Sequence, residues 1–345
     1  MRQTQDPPAT PGSARIEEDD AGARLDRWFR RHYPGLTHGR LEKLLRTGQV
    51  RLDGKRAKAS DRVSAGQVVR LPPRIGEREP VNARATPASA SDELRDCILH
   101  MDKSVIVLNK PAGLATQGGS GLTKHVDGML DALSFEKRQR PRLVHRLDRD
   151  TSGVLVVART APAAAALAKA LQERDARKTY WALTSGVPKN KRGRIKLALA
   201  KQSAPGGRGR DERMAVAPRE QEDARMAVTD YEVMAVAGKE FAWVAAMPVT
   251  GRTHQIRVHL ASLGTPIVGD FKYGGADARG RGAIADRLHL HARSIDIAHP
   301  DGGRLKVTAP LPEHMKKSFA LLGFDEPPFE TSPTSRRRAP RRDQA

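Results

Sequence analysis

The sequence predicts an α+β protein: a larger domain built on a mixed, largely antiparallel sheet, preceded by a small, strongly basic N-terminal module. Three observations carry this reading. From Val105 onward strand-like apolar runs outnumber helical patterns and lie close enough for hairpins, which favours antiparallel pairing over the regular alternation of a doubly wound sheet. Residues 76–95, with Gly76, Pro80, Pro87 and several Ala and Ser, read as a linker. Ahead of it, residues 16–75 hold two short helical patterns and a tight-turn signal of their own. At 345 residues the chain is long enough for both parts.

Taken in order, residues 1–15 carry Pro7, Pro8, Pro11 and Gly12 among small polar residues, a composition too poor in apolar surface to order itself, so a tail is expected. A helix is expected over Leu25–His32, a break at Pro34-Gly35, and a second helix opening near Thr37. In that second helix Leu41, Leu44 and Leu45 form the packing face, and Arg40, Lys43 and Arg46 form a basic stripe. The run from Gln49 to Arg56, which includes Arg51, alternates around Asp53-Gly54, a pair suited to a two-residue hairpin turn with positive φ. Between Arg24 and Arg74 there are 14 Lys or Arg against four Asp or Glu.

The larger domain is expected over residues 96–325. Val105–Leu108 and Val154–Ala158 read as strands, Ala161–Gln172 as an Ala-rich helix, Tyr180–Leu183 as a strand, and Asp230–Ala246 as a hairpin broken near Gly238. Leu288–Ile297 alternates, with Leu288, Leu290 and Ala292 on one side and His289, His291 and Arg293 on the other. Gly206–Ala224 reads as an exposed loop and residues 326–345, with five Arg and one Asp after Pro333, as a basic tail.

A formal charge of +21 and a pI near 10.6 call for a polyanionic partner, and nucleic acid fits better than a membrane surface. No run of about 18 apolar residues is present, and the N-terminus lacks both a secretory apolar stretch and the acid-poor character of a mitochondrial transit peptide. The single cysteine, Cys97, excludes an internal disulfide framework and a multi-cysteine zinc site, and reads as a buried thiol in a reducing cytoplasm.

Three segments crowd polar groups beside apolar strands. In His145-Arg146-Leu147-Asp148-Arg149-Asp150-Thr151-Ser152-Gly153, two carboxylates meet two arginines and a histidine just before a strand, a cluster that perturbs pKa values; the bland alternative is a salt-bridged turn. Lys178-Thr179-Tyr180 brings an aromatic face to a basic rim, suited to an unstacked base, against the commoner fate of a half-buried sheet tyrosine. In Gly251-Arg252-Thr253-His254-Gln255-Ile256-Arg257-Val258-His259-Leu260, the two histidines are poorly spaced for a shared metal, and Arg257 is suited to a bidentate pairing with a carboxylate. Gly118–Lys124 lacks Walker A spacing and reads as a loop.

In order and spacing these three motifs, together with Val107-Leu108-Asn109-Lys110-Pro111-Ala112-Gly113 and Leu290-His291-Ala292, resemble the RluA family of pseudouridine synthases. The basic module resembles an S4 RNA-binding domain, as in the RluC and RluD branches that act on large-subunit ribosomal RNA. The resemblance implies a pseudouridine synthase fold, no cofactor or metal, a ribosomal RNA partner and a monomer in the cytoplasm. It also implies that Asp148 is the catalytic carboxylate, that Arg146 fills the space left by a flipped base, that Tyr180 stacks on the uracil and that Arg257 pairs with Asp148. Ile256 and Val258, alternating with Arg257 on an expected strand, are then pocket wall, and Arg40, Lys43, Arg46 and Arg51 are the module's RNA contacts. Asp150 has no assigned role. A catalytically silent ribosome-assembly factor and a base-releasing glycosidase are the rival classes.

Overall fold

A computed structural model describes residues 12–33, 36, 38–72, 88–118, 124–135, 139–202 and 213–325. The chain divides into two compact units, residues 1–85 and 86–345.

The first unit contains β1 (Ser13–Arg15), α1 (Leu25–His32), α2 (His38–Arg46), β2 (Arg51–Leu52), β3 (Lys55–Arg56) and β4 (Val68–Arg70), with sheet order β1-β4-β2-β3. Its core follows from helical spacing: Leu25, Trp28 and Phe29 of α1 and Leu41, Leu44 and Leu45 of α2 close over Val50, Val63 and Val69. Asp53 and Gly54 both take positive φ, 48° and 75°, so the β2–β3 hairpin turns on the Asp-Gly pair as its chemistry requires. One expectation fails here. Ser13–Arg15, assigned to the tail, pairs antiparallel with β4, gaining backbone hydrogen bonds on a sheet edge that composition does not register; the buried Ile16 anchors it. Pro34, Gly35 and Thr37 lie outside the described residues.

The second unit runs α3 (Ala88–Arg95), β5 (Ile98–Met101), β6 (Val105–Lys110), α4 (Val126–Met129), β7 (Arg142–Leu143), β8 (Ser152–Ala158), α5 (Ala161–Ala170) and β9 (Arg177–Ser185). It continues through β10 (Arg192–Gln202), β11 (Arg213–Val216), β12 (Arg225–Ala237), β13 (Phe241–Pro248), α6 (Gln255–Ser262), α7 (Phe271–Gly274), β14 (Leu290–Ala298), β15 (Arg304–Thr308) and α8 (Glu313–Leu321). Among the described residues the strands make one eleven-stranded sheet, ordered β11-β10-β12-β13-β9-β14-β8-β6-β5, with β15 on β14 and β7 on β8. Every pairing is antiparallel except β14 with β8, so the sheet is mixed and largely antiparallel, as expected from the sequence. That parallel junction lies at the head of β8, where the acidic motif ends.

Three further expectations give way to tertiary context. The end of the expected linker is helical: α3 docks through Leu94, which is 1% exposed. Within the expected loop 206–224, Arg213–Val216 forms β11 on the edge of β10; residues 203–212 lie outside the described residues, as does the expected tail 326–345. The expected strand around Arg257 is a helix. All six residues from Gln255 to Leu260 of α6 are buried, polar and apolar alike, so their alternation carried no information about which face is inside. Both sides of the first half of β14, Leu290–Arg293, are buried as well, and the buried polar residues there and just before it find partners, with His289 Nε2 2.8 Å from Ser318 Oγ and Arg293 2.5 Å from the Ala309 carbonyl.

Candidate active site

The segment His145–Ser152 leads into β8, and interactions from four sides fix its path. The Thr116 hydroxyl donates to the Leu147 carbonyl (2.7 Å) and accepts from the Leu147 amide (3.1 Å). The Lys110 ammonium, wholly buried, reaches the carbonyls of Pro111, Leu114 and Arg149 at 2.8, 2.8 and 3.0 Å. His145 Nε2 accepts from the Val156 amide at 2.8 Å, and burial drives its pKa down to about 4, which keeps the ring a neutral acceptor. Ser152 Oγ lies 2.9 Å from His291 Nδ1, locking the head of β8 to β14. A side chain between Leu147 and Arg149 is therefore placed by backbone held on both flanks.

That side chain is Asp148. At 17% side-chain exposure it sits in a cleft of about 630 Å3 whose lining includes His145, Arg146, Thr151, Lys178, Tyr180, Arg252, His254, Ile256 and Arg257. Burial pushes its carboxyl above the usual carboxylate range, opposed by Arg257, Arg146 and Lys110 and reinforced by Asp270. His254, in the left-handed conformation at φ 53°, brings Nε2 to 3.9 Å from Asp148 Oδ1 while Nδ1 lies 2.6 Å from the Tyr273 hydroxyl. Burial and neighbouring cations lower its pKa to about 4, so it faces Asp148 as a neutral ring above about pH 5.

The structure corrects the expected pairing of Arg257 with Asp148. The guanidinium forks onto Asp270 instead, Nε to Oδ2 at 2.8 Å and Nη2 to Oδ1 at 2.6 Å, and packs 5.0 Å from the Tyr273 ring centroid. Its influence on Asp148 is a field, not a contact. The helical geometry of α6 also separates Ile256 from Val258: two residues apart on a helix they point about 200° away from each other. Ile256 lines the cleft, whereas Val258 packs with Leu199 and Ala227 beneath it and is not pocket wall. Two other polar members of that motif, Gln255 and His259, are scaffold. Gln255 bonds Thr250, Val228 and Thr229, and His259 Nδ1 lies 2.8 Å from Thr229 Oγ1, so the two histidines of the motif face different neighbours.

Tyr180 lies on β9 at the cleft, and desolvation with the Asp148 charge keeps its phenol protonated. Arg146 is exposed at the cleft rim and makes no hydrogen bond or ion pair among the described residues, leaving it available to a ligand. Asp150 is 45% exposed and paired with Arg149 at 3.2 Å. In the first unit Lys43 and Arg46 are exposed and Arg40 is half-buried; Arg51 is partly consumed by the hairpin, donating to the Gly48 and Gly54 carbonyls at 3.2 and 3.1 Å. Sequence reasoning did not single out Asp270, Tyr273 or Thr116. Only the Lys110-Pro111 pair carried a signal, through its place in a resembling motif.

The RNA pseudouridylate synthase family model matches residues 104–262, and the S4 domain model matches residues 23–69. A protein from Escherichia coli named ribosomal large subunit pseudouridine synthase C is 37% identical over 316 residues, covering 89% of this chain and 95% of that one. The chain belongs to the RNA pseudouridylate synthase family. An Arabidopsis thaliana relative, named RNA pseudouridine synthase 4, mitochondrial, is 34% identical over 391 residues, covering 90% of this chain and 81% of its own length. The solved structure of human RNA pseudouridylate synthase domain containing 4 superposes with a TM-score of 0.57 at 28% identity, over 69% of this chain and 97% of that one. The chain is thus an RNA pseudouridine synthase with an S4 domain, and no described helix is long and apolar enough to cross a membrane.

The backbone geometry gives the glycine of the acidic motif a checkable structural role. Gly153 takes φ +109°, and a Cβ there would be driven into the backbone of Ala292 at the parallel β8–β14 junction. Gly238 also has positive φ, +57°, but open space around it. Gly238→Ala should therefore cost only the strain of about 1–2 kcal/mol, whereas Gly153→Ala should cost more than about 4 kcal/mol. Urea midpoints of the two variants test this, and equal midpoints would remove the clash argument.

Proposed function

We propose that this synthase isomerises specific uridines to pseudouridine in large-subunit ribosomal RNA, with Asp148 as its catalytic carboxylate. The observation that carries the reading is a mostly buried carboxylate, rigidly mounted, in an otherwise cationic cleft. The names of the bacterial relatives supply the RNA class. The reaction breaks the N1–C1′ bond, turns the uracil while it stays bound, joins C5 to C1′, releases the C5 proton and leaves N1 protonated. One proton is lost and one gained, so atoms and electrons balance with no net redox change and the chemistry needs no redox cofactor. The base has to leave its stack, at a cost of a few kcal/mol offset by stacking and by filling the vacated space. In this reading Arg146, exposed at the rim, enters that space; Tyr180 stacks on the uracil; Ile256 supplies apolar wall. Asp148 acts at the sugar or the base as nucleophile, or removes a sugar proton, and each route needs the ionised form. Arg257 and Lys110 favour that form against burial. The enzyme works as a monomer in the cytoplasm.

Incubating the full chain with large-subunit ribosomal RNA and assaying for pseudouridine, free uracil or neither tests the reading. Free uracil would indicate a glycosidase, and binding without either product a silent assembly factor.

The S4 domain supplies affinity, through Arg40, Lys43, Arg46 and in part Arg51. Deleting residues 1–75 should weaken RNA binding and flatten its salt dependence by about 0.7 in the log–log slope for each single-strand phosphate that the shortened chain no longer neutralises. An unchanged slope in filter binding at several salt concentrations would refute that role.

A further inference from the structure

Among the described residues, one of the cations lining the cleft, Lys178, is part-buried and has no carboxylate partner. Lys178 lies on β9 two residues before Tyr180, so both side chains project to the same side of the sheet about 7 Å apart along the strand. It is half-buried, and it lines the cleft together with Val144, His145, Leu171 and Gln172. Its ammonium has three donors, and one is spent on the Leu171 carbonyl at 3.3 Å. No carboxylate pairs with it among the described residues. Among the described residues Asp148 is the only carboxylate lining the cleft, set against Arg146, Lys178, Arg252 and Arg257. Of these cations Arg257 is neutralised by Asp270. Desolvation lowers the Lys178 pKa with no opposing anion, and its charge also helps keep His145 neutral.

A desolvated ammonium with unused donors in a ligand cleft is a cost that a bound anion removes. We propose that Lys178 is the seat of an RNA phosphate, the one adjoining the target uridine. The inference rests on the pseudouridine synthase reading of Asp148 and Tyr180. The ribose whose C1′ reacts carries a phosphate on each side, so seating uracil against Tyr180 brings a phosphodiester within one strand repeat of the ring. Lys178 then holds the backbone of the target nucleotide while its base turns, and the Gln172 amide beside it can donate to the same group. The competing use of Lys178 is structural: its bond to Leu171, the residue capping α5, tethers the end of that helix.

The test uses the full chain and an RNA oligonucleotide on which the wild-type protein binds with measurable salt dependence. Lys178→Met should raise KM and Kd about tenfold, lower the salt slope by about 0.7 and leave kcat within about twofold, because a phosphate held equally in ground and transition states contributes uniform binding. Lys178→Arg should restore most of the affinity. Lys189→Met, which removes an exposed charge outside the cleft, is the matched control. On RNA carrying a neutral methylphosphonate on either side of the target uridine, one of the two positions should abolish the difference between wild type and Lys178→Met. A salt slope unchanged in Lys178→Met, or a defect undiminished at both methylphosphonate positions, overturns the proposal; a fall in Tm with an unchanged slope would give Lys178 to the end of α5 instead. Should wild type form no pseudouridine on any ribosomal RNA, the functional reading fails, while the Kd and slope comparisons still decide the phosphate contact.

Discussion

Asp148→Asn should abolish pseudouridine formation while leaving RNA affinity within about tenfold, or ~1.4 kcal/mol. Asp150→Asn should retain most of the activity. The two carboxylates stand one residue apart in sequence but in different environments. Asp148 is 17% exposed and faces the cleft, whereas Asp150 is 45% exposed and bound to Arg149 on the outside of the turn. A surface pair of that kind contributes a field that solvent and salt largely screen. The pH profile of the wild type adds a second reading. Because the Asp148 pKa is raised, the ionised fraction falls already at a pH where a free aspartate would remain charged, so kcat/KM should decline through an acid limb lying above the usual carboxylate range. His145 and His254, with pKa values of about 4, are neutral across neutral pH and add no limb near 6.5. Pseudouridine yield and kcat/KM for the two variants, with circular dichroism to confirm folding, decide the matter. An active Asp148→Asn beside a dead Asp150→Asn would sink the assignment.

What the sequence disclosed and what it withheld divide along a physical line. Local rules worked where one local interaction decides the structure. Asp53-Gly54 turned the hairpin because positive φ is a property of those residues, and Leu25–His32 formed a helix because its apolar spacing is helical. The acidic motif was visible as charge next to an apolar run, and Tyr180 and Ile256 do share its cleft. Local rules failed wherever burial comes from distant chain. The alternation of Ile256 and Val258 lost its meaning in α6, where both faces are covered, and Ser13–Arg15 and Arg213–Val216 became strands only because an edge was waiting. The partner of Arg257 was misassigned for the same reason: a bidentate carboxylate was predictable, but nothing local distinguishes Asp270 from Asp148. The hold that Thr116 and Lys110 exert on the acidic segment from 31 and 39 residues away is equally invisible until the sheet assembles, although Lys110 stands in a resembling motif.

The pair formed by Arg257 and Asp270 gives the second large effect. Arg257 is 8% exposed and Asp270 1%, so the bidentate bridge is closed off from water. Asp270→Ala leaves the guanidinium buried without its anion and should destabilise the protein by about 3–5 kcal/mol. Arg257→Met should do comparable damage by stranding the Asp270 carboxylate. Replacing both, as Arg257→Met with Asp270→Leu, removes the two desolvation costs together and should bring stability back close to wild type. Activity should not return with it. Arg257 is the strongest influence opposing burial at the Asp148 carboxyl, so without it the ionised form is rarer at neutral pH and the acid limb of kcat/KM moves upward. Loss of Asp270 partly offsets this shift, since its own charge raises the Asp148 pKa, but it ranks last among the causes and Arg257 ranks next after burial. Urea midpoints should therefore separate the single variants from the double one, and pH profiles should separate the double variant from wild type. A stable double variant with the wild-type pH profile would make Arg257 a brace between α6 and the start of α7, with no electrical role at Asp148.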